Sequence, residues 1–211
     1  MFKDKYKGID LKLVLATSNK GKVREIKALC KEYEVVAYSE LMDEFEIIED
    51  GNTFQENALI KARAVFSALN KKMPLELNDI IVLADDSGIS VDILGGEPGI
   101  YSARYAGENS NDKDNLYKLI ETIKAKNVTS SPAHYTAAIA IVTNANEYSV
   151  HGWMYGTATT QPIGDGGFGY DPMIIPQGYD KTLGELEEGV KQKLSHRAKA
   201  LSLAKRILQA L

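Results

Sequence analysis

A mixed α/β fold follows from three features of this 211-residue chain. The run Ile80 to Ala84 is apolar throughout and rich in β-branched residues, the pattern of a strand buried on both faces near the middle of a sheet. Leu11 to Ala16 is another apolar run, and it passes through the polar turn Thr17 to Gly21 into a helical repeat, which is the strand-loop-helix opening of α/β proteins. Tyr135 to Thr143 and Tyr148 to Thr159, joined near Asn144 to Asn146, read as two long hairpin strands. Together these predict a mixed sheet with helices, split into two lobes with a cleft between them.

The remaining elements fall into place around those. Val23, Ile26, Leu29, Cys30 and Tyr33 recur at helical spacing and give the first helix its buried stripe. A strand is expected over Glu34 to Tyr38. The next helix starts at Thr53, where Thr53-x-x-Glu56 forms a capping box, and runs to about Asn70. Ile89 to Leu94 reads as a further strand and Gly95 to Gly99 as a turn. Asn111 to Lys126 is a helix with Leu116, Leu119, Ile120 and Ile123 inward, whereas Ala125 to Ala133 carries no motif. A last helix, capped by Ser195, places Leu201, Ala204, Ile207, Leu208 and Leu211 on one face.

Composition removes several classes of function. With 44% hydrophobic and 26% charged residues the chain has ordinary globular usage. Its net charge of -4 gives no general pull toward nucleic acid polymers, so any phosphate must be bound locally. The single cysteine, Cys30, has no Cys or His at metal spacing, which argues against disulfides and structural zinc and for a reducing cytoplasm. The first ten residues have no apolar core of a secretion signal, and no 18-residue apolar run occurs, so neither secretion nor membrane spanning is expected.

Four motifs carry chemistry. Thr17-Ser18-Asn19-Lys20-Gly21-Lys22 follows a strand and opens a helix, bringing free amides, hydroxyls and two lysines to one anion site. It is not a Walker loop, because Ala16 and Val23 replace the first glycine and the closing Ser/Thr; a P-loop ATPase or kinase is therefore disfavoured. Asp85-Asp86-Ser87-Gly88 is expected just beyond the central strand, where open α/β sheets bind ligands. Two adjacent carboxylates call for a hard cation such as Mg²⁺, and Glu46, Glu49 and Asp50 offer further oxygen ligands. Gly164-x-Gly166-x-x-Gly169 imitates a dinucleotide fingerprint, but Pro172 follows where that site needs a helix; a glycine-flexed loop bringing Phe168 and Tyr170 to a flat ligand fits better. Ser195-His196-Arg197, with Lys191 and Lys193 upstream, sets donors at the positive end of a helix, either for an acceptor-rich ligand or as mobile surface side chains.

Taken with Thr53-Phe54-x-Glu56-Asn57-Ala58-x-x-Lys61-Ala62 and Gly95-Gly96-x-Pro98-Gly99-Ile100-Tyr101-Ser102-Ala103-Arg104, these motifs resemble, in order and over almost the whole chain, the inosine/xanthosine triphosphate pyrophosphatase family. The resemblance implies a two-lobed mixed-sheet homodimer with its active site in the cleft. It implies Mg²⁺-dependent cleavage of ITP, dITP and XTP between the α- and β-phosphates. Carried over by position, Thr17, Ser18, Asn19, Lys20, Gly21 and Lys22 bind the triphosphate, with Lys61 a further phosphate contact. Asp86 is the general base and approaches the metal, and Glu49 is the other metal ligand. Ser87 touches substrate, Phe168, Gly169, Tyr170 and Asp171 line the base and sugar pocket, and Lys191, His196 and Arg197 contact the nucleotide. The whole of 1–211 then forms one such domain, with 1–10 an N-terminal extension. A pyrophosphatase for other modified nucleotides and a nucleotide sensor without hydrolysis are the competing readings, the second opposed by the Asp85-Asp86 pair and Glu49.

Overall fold

Alternating apolar and helical segments fold, in a computed structural model that describes residues 12–73 and 80–211, into one six-stranded mixed sheet with five α-helices among the described residues. The expected extension 1–10 lies outside the described residues. The strands are β1 (Lys12–Leu15), β2 (Glu34–Ala37), β3 (Ile80–Val91), β4 (Ser130–Val142), β5 (Glu147–Thr159) and β6 (Ile174–Pro176), in the order β2-β1-β3-β4-β5-β6. β1 runs parallel to both β2 and β3, with Leu15 opposite Ala37 and Leu83, whereas β5 and β6 are antiparallel. The helices are α1 (Lys20–Leu29), α2 (Phe54–Lys72), α3 (Asp112–Lys124), α4 (Glu188–Leu194) and α5 (His196–Leu208).

The described residues form two compact units. The first takes 12–51, 55–73, 80–85 and 139–149; the second takes 52–54, 86–138 and 150–211. In the first, Leu13, Val14, Leu15 and Ile80 to Ala84 are buried, as uninterrupted apolar strands must be. α2 buries Ala58, Ala62, Val65 and Leu69, a stripe at helical period, and Asn57 and Lys61 share that face. Their burial therefore follows from position on the helix. In the second unit Ile89, Val91, Leu116, Leu119, Ile120, Ile123, Tyr135, Met154 and Tyr170 make one core. Asn111 caps α3 through a reciprocal bond with Asp114, so that helix starts where its sequence predicts.

Several expectations need correction. β3 does not end before Asp85: it continues through Asp86, Ser87 and Gly88 to Val91 and ends in a 3-10 turn over Asp92–Leu94. Gly88 lies inside the strand, where a Cβ would strike the Ser102 hydroxyl and the Gly99 carbonyl; the glycine permits a close approach. α1 stops at Leu29, with Cys30 as its C-cap, so Tyr33 is not on its stripe. Leu211 lies beyond α5, and Ile207 is only half-buried. β4 begins at Ser130, inside the stretch that shows no motif, and α4 and β6 were not foreseen. Among the described residues no helix is long and apolar enough to cross a membrane.

Candidate active site

In the first unit the phosphate-loop sequence is set by its neighbours on the sheet. The Ala16 amide donates to the Leu83 carbonyl (2.8 Å), so the chain leaves β1 beside β3 and turns directly into α1. Asn19 is the N-cap: its side chain accepts from the Lys22 amide (3.1 Å), and its own amide donates to Thr17 Oγ1 (3.2 Å). The first turn of α1 carries no acidic residue, so its positive end is not neutralised from within. Ser18, Asn19 and Lys20 are exposed, and Gly21 is half-buried.

Lys22 is not an open cation. Its ammonium sits 2.6 Å from Asp85, whose side chain is fully buried. That pair revises the reading of Asp85-Asp86 as two carboxylates sharing one cation. Successive residues of a strand face opposite ways, and Asp85 is neutralised by lysine. Asp86 is 8% exposed and belongs to the second unit.

A second lysine-carboxylate pair lies in the same unit. Lys61 reaches Glu49 at 2.8 Å, with both side chains largely covered. The acidic segment is fastened to α2 by the Gly51 amide, which donates to Asn57 Oδ1 (2.9 Å), one helical turn before Lys61. A Cβ on Gly51 would fall 2.7 Å from that oxygen and from Glu56 Cβ. Asn57, 1% exposed, is thus a positioning residue that sequence reasoning quoted without a role. Of the acidic cluster, Glu49 turns inward, whereas Glu46 and Asp50 are exposed.

The second unit holds the other predicted residues. Arg197, 2% exposed, donates to Ser87 Oγ (2.9 Å) and places its guanidinium 5.7 Å from the centroid of the Phe168 ring. His196 is 8% exposed and lies flat on Tyr135, with centroids 4.7 Å apart and planes within 7°. The alternative of mobile surface cations at this helix start is therefore excluded for His196 and Arg197, although Lys193 is exposed. Ser195 caps α5 as predicted, accepting from the Ala198 amide (3.0 Å). What brings α5 close enough is Gly152 on β5: a Cβ there would collide with the His196 carbonyl and the Ala200 amide. No sequence pattern singled out Gly152 or Tyr135.

The glycine-rich loop is held from three sides. Asp171 forms an ion pair with Lys191 (3.1 Å) and accepts from the Phe168 amide (3.3 Å). The Gly169 amide donates to Asp112 (3.0 Å) at the start of α3, and the Tyr170 hydroxyl donates to the Ser102 carbonyl (2.7 Å). Gly167, at φ 83°, allows the turn to close, because a side chain there would run into the Asp171 carboxylate and the Lys191 ammonium. A short 3-10 turn, Asp171–Met173, follows with Pro172 in its first positions, in keeping with rejection of a dinucleotide helix.

Tyr170 departs from its expected place. It is 5% exposed and part of the core, so it braces the loop instead of offering an open stacking face; Phe168, half-buried, keeps that possibility. Burial pushes both the Tyr135 and Tyr170 hydroxyls well above the ordinary tyrosine range, so neither ionises near neutrality.

Chemically the two sets differ. The first unit offers an acid-free helix start and two sheltered lysines, suited to anions. The second offers a buried carboxylate, a hydroxyl under an arginine, an aromatic ring and an oriented imidazole, suited to a flat polar ligand. For a hard cation, Asp86 and Glu49 are the right donor type, oxygen without sulfur or nitrogen. Among the described residues no group of three or more His, Cys, Asp and Glu forms a ready metal cage, so magnesium would depend on one or two carboxylates together with ligand phosphate, its usual mode.

The dITP/XTP pyrophosphatase of Sulfurimonas denitrificans is 68% identical over 201 residues, covering 95% of this chain and 100% of that protein. The dITP/XTP pyrophosphatase of a Sulfurovum species is 61% identical over 201 residues, covering 95% of each. Among solved structures, the Ham1 protein of Staphylococcus aureus aligns with a TM-score of 0.80 at 36% identity, covering 94% of this chain and 98% of that one. A HAM1 protein of Coxiella burnetii gives 0.81 at 33%, covering 95% and 100%. The family model described as the Ham1 family matches residues 13–207, and this chain belongs to that family.

Proposed function

We propose that this protein hydrolyses the non-standard purine nucleoside triphosphates ITP, dITP and XTP to the monophosphate and pyrophosphate. The observation that carries the reading is the contact of buried Arg197 with Ser87, which follows Asp86 on β3, and with the Phe168 ring, next to buried His196, in a chain so similar to proteins of that named activity. Asp86, largely withdrawn from water, is the general base: it takes a proton from a water as the new phosphorus–oxygen bond forms and the α,β-anhydride bond breaks. Pyrophosphate carries away the bridging oxygen. The Thr17 to Lys22 segment and Lys61 take the phosphates, where α1 amides and ammonium groups balance negative charge. Magnesium, for which Asp86 and Glu49 are the proposed ligands, supplies charge neutralisation at the phosphate oxygens when bound.

Base choice rests on the second unit. Hypoxanthine and xanthine present a 6-oxo acceptor where adenine presents an amino donor, and His196 and Arg197 supply donors. A donor-lined site leaves buried groups unpaired against ATP, which discriminates strongly. A substrate from the nucleotide pool goes with a cytoplasmic protein that has no membrane or nucleic acid partner. A homodimer is supported by the outer side of β5, where Trp153 and Tyr155 stand exposed two residues apart and His151 stacks on Trp153.

Incubation with ITP, dITP, XTP, GTP and ATP, with and without Mg²⁺, tests the proposal. Metal-dependent pyrophosphate release from the first three, with GTP and ATP largely spared, is expected. Inorganic phosphate as product, or indifference to the base, would refute it.

A further inference from the structure

We infer that Tyr135 is a specificity-determining positioning residue, which orients the His196 imidazole for the purine edge without touching the ligand itself. The inference rests on the proposed role of His196 in base recognition. An imidazole at the first position of a helix turns about two side-chain torsions, and the outer one has a broad, shallow preference. Hydrogen bonds from a ring nitrogen lie in the ring plane, so recognition of a 6-oxo group depends on what fixes that plane.

Here it is fixed by Tyr135. The phenol ring lies parallel to the imidazole within 7° at 4.7 Å, an offset stack, and both residues are more than nine-tenths buried. Tyr135 sits within β4, so its own position is set by the sheet, and Gly152 on β5 allows the first turn of α5 to approach that sheet. Ring on strand and ring on helix are thereby held face to face by backbone placement. The stacking face, not the hydroxyl, does the orienting, so phenylalanine serves as well as tyrosine.

The test is the ratio of kcat/KM for ITP to that for ATP in Y135F, Y135L, H196A and the Y135L/H196A double variant. Y135F keeps the ratio within about twofold. Y135L lowers it about fivefold, the scale of a lost aromatic pair, with kcat on ITP less affected. The double variant is no worse than H196A, because Tyr135 acts only through the imidazole. If H196A collapses the ratio while Y135L leaves it intact, the inference is overturned and the reading of the base site stands. If H196A leaves the ratio unchanged, the base-site reading itself fails and this inference with it. A Y135F variant as damaging as Y135L also overturns it.

A second measurement needs no folded Y135L. The chain has three histidines, and H134Q and H151Q assign their ring-proton resonances. A stacked His196 resonates upfield through the Tyr135 ring current in the unaltered protein, and an ordinary shift there would overturn the inference.

Discussion

The two units share one means of holding site cations and differ in another. In the first, Lys22 is paired with Asp85 and Lys61 with Glu49, charge against charge. In the second, Lys191 is likewise paired with Asp171, but Arg197 rests against a hydroxyl and an aromatic face, and His196 lies on a ring. Ion pairs are directional only loosely, whereas stacked rings and glycine-level contacts fix orientation. The first arrangement suits a ligand of high charge and variable pose, and the second suits a flat ligand whose edge must be read.

The sharpest way to break the comparison is at Lys22. K22M leaves the Asp85 carboxylate buried without its ammonium, and loss of about 3–5 kcal/mol is expected from urea unfolding. K22M/D85N removes the stranded charge and recovers most of that stability without recovering activity; equal instability of both variants would show that the pair is not the cause. Next comes Asp86. D86N should lower turnover about a hundredfold or more, with the circular dichroism spectrum unchanged; near-normal turnover would end its assignment as base. In the second unit G152A tests close packing in place of charge. The added methyl meets backbone of α5, and about 1–3 kcal/mol of destabilisation is expected, accompanied by a weaker preference for ITP. The smallest effect belongs to an outer ion pair of the first unit, Arg63 with Glu147 at 2.6 Å, both side chains well exposed. Its hydrogen bonds from Arg63 hold the Glu147 carboxyl below its ordinary value. The contribution is therefore full above the ordinary glutamate range and fades as pH falls through the lowered value. R63Q should remove no more than about 1 kcal/mol at neutral pH and flatten that part of the acid limb of the stability profile. A larger loss would mean that surface and sheltered pairs of this unit are equivalent.

Much of this was legible in the sequence because it is local. The buried strands, the start of α3 near Asn111 and the cap of α5 at Ser195 are all read from residues within a few positions of one another. α4 was not, since its seven residues bury none of their side chains and so leave no apolar stripe. Asp85 to Gly88 read as lying beyond the strand because the tight neighbour of Gly88, Ser102, is distant in sequence. Adjacent aspartates suggested a shared cation until the strand was seen to run through them, which sends one to each unit. For Arg197 the sequence left a surface side chain open beside a ligand contact, as arginines are usually exposed, and only its long-range partners account for its burial. Tyr135 and Gly152 likewise meet α5 only across long sequence separations.

On the proposed phosphate role of the loop, the Lys22–Asp85 pair would make it work as an ion exchanger. An anion arriving at Lys22 meets an ammonium already compensated by Asp85, so it must share the three donors of that group or displace the carboxylate. A lone chloride or phosphate brings too few contacts to make the swap worthwhile. A triphosphate held as proposed would engage loop amides and lysines together and replace the lost partner several times over, so the resident carboxylate would act as a threshold that favours polyvalent anions over the monovalent salts around them.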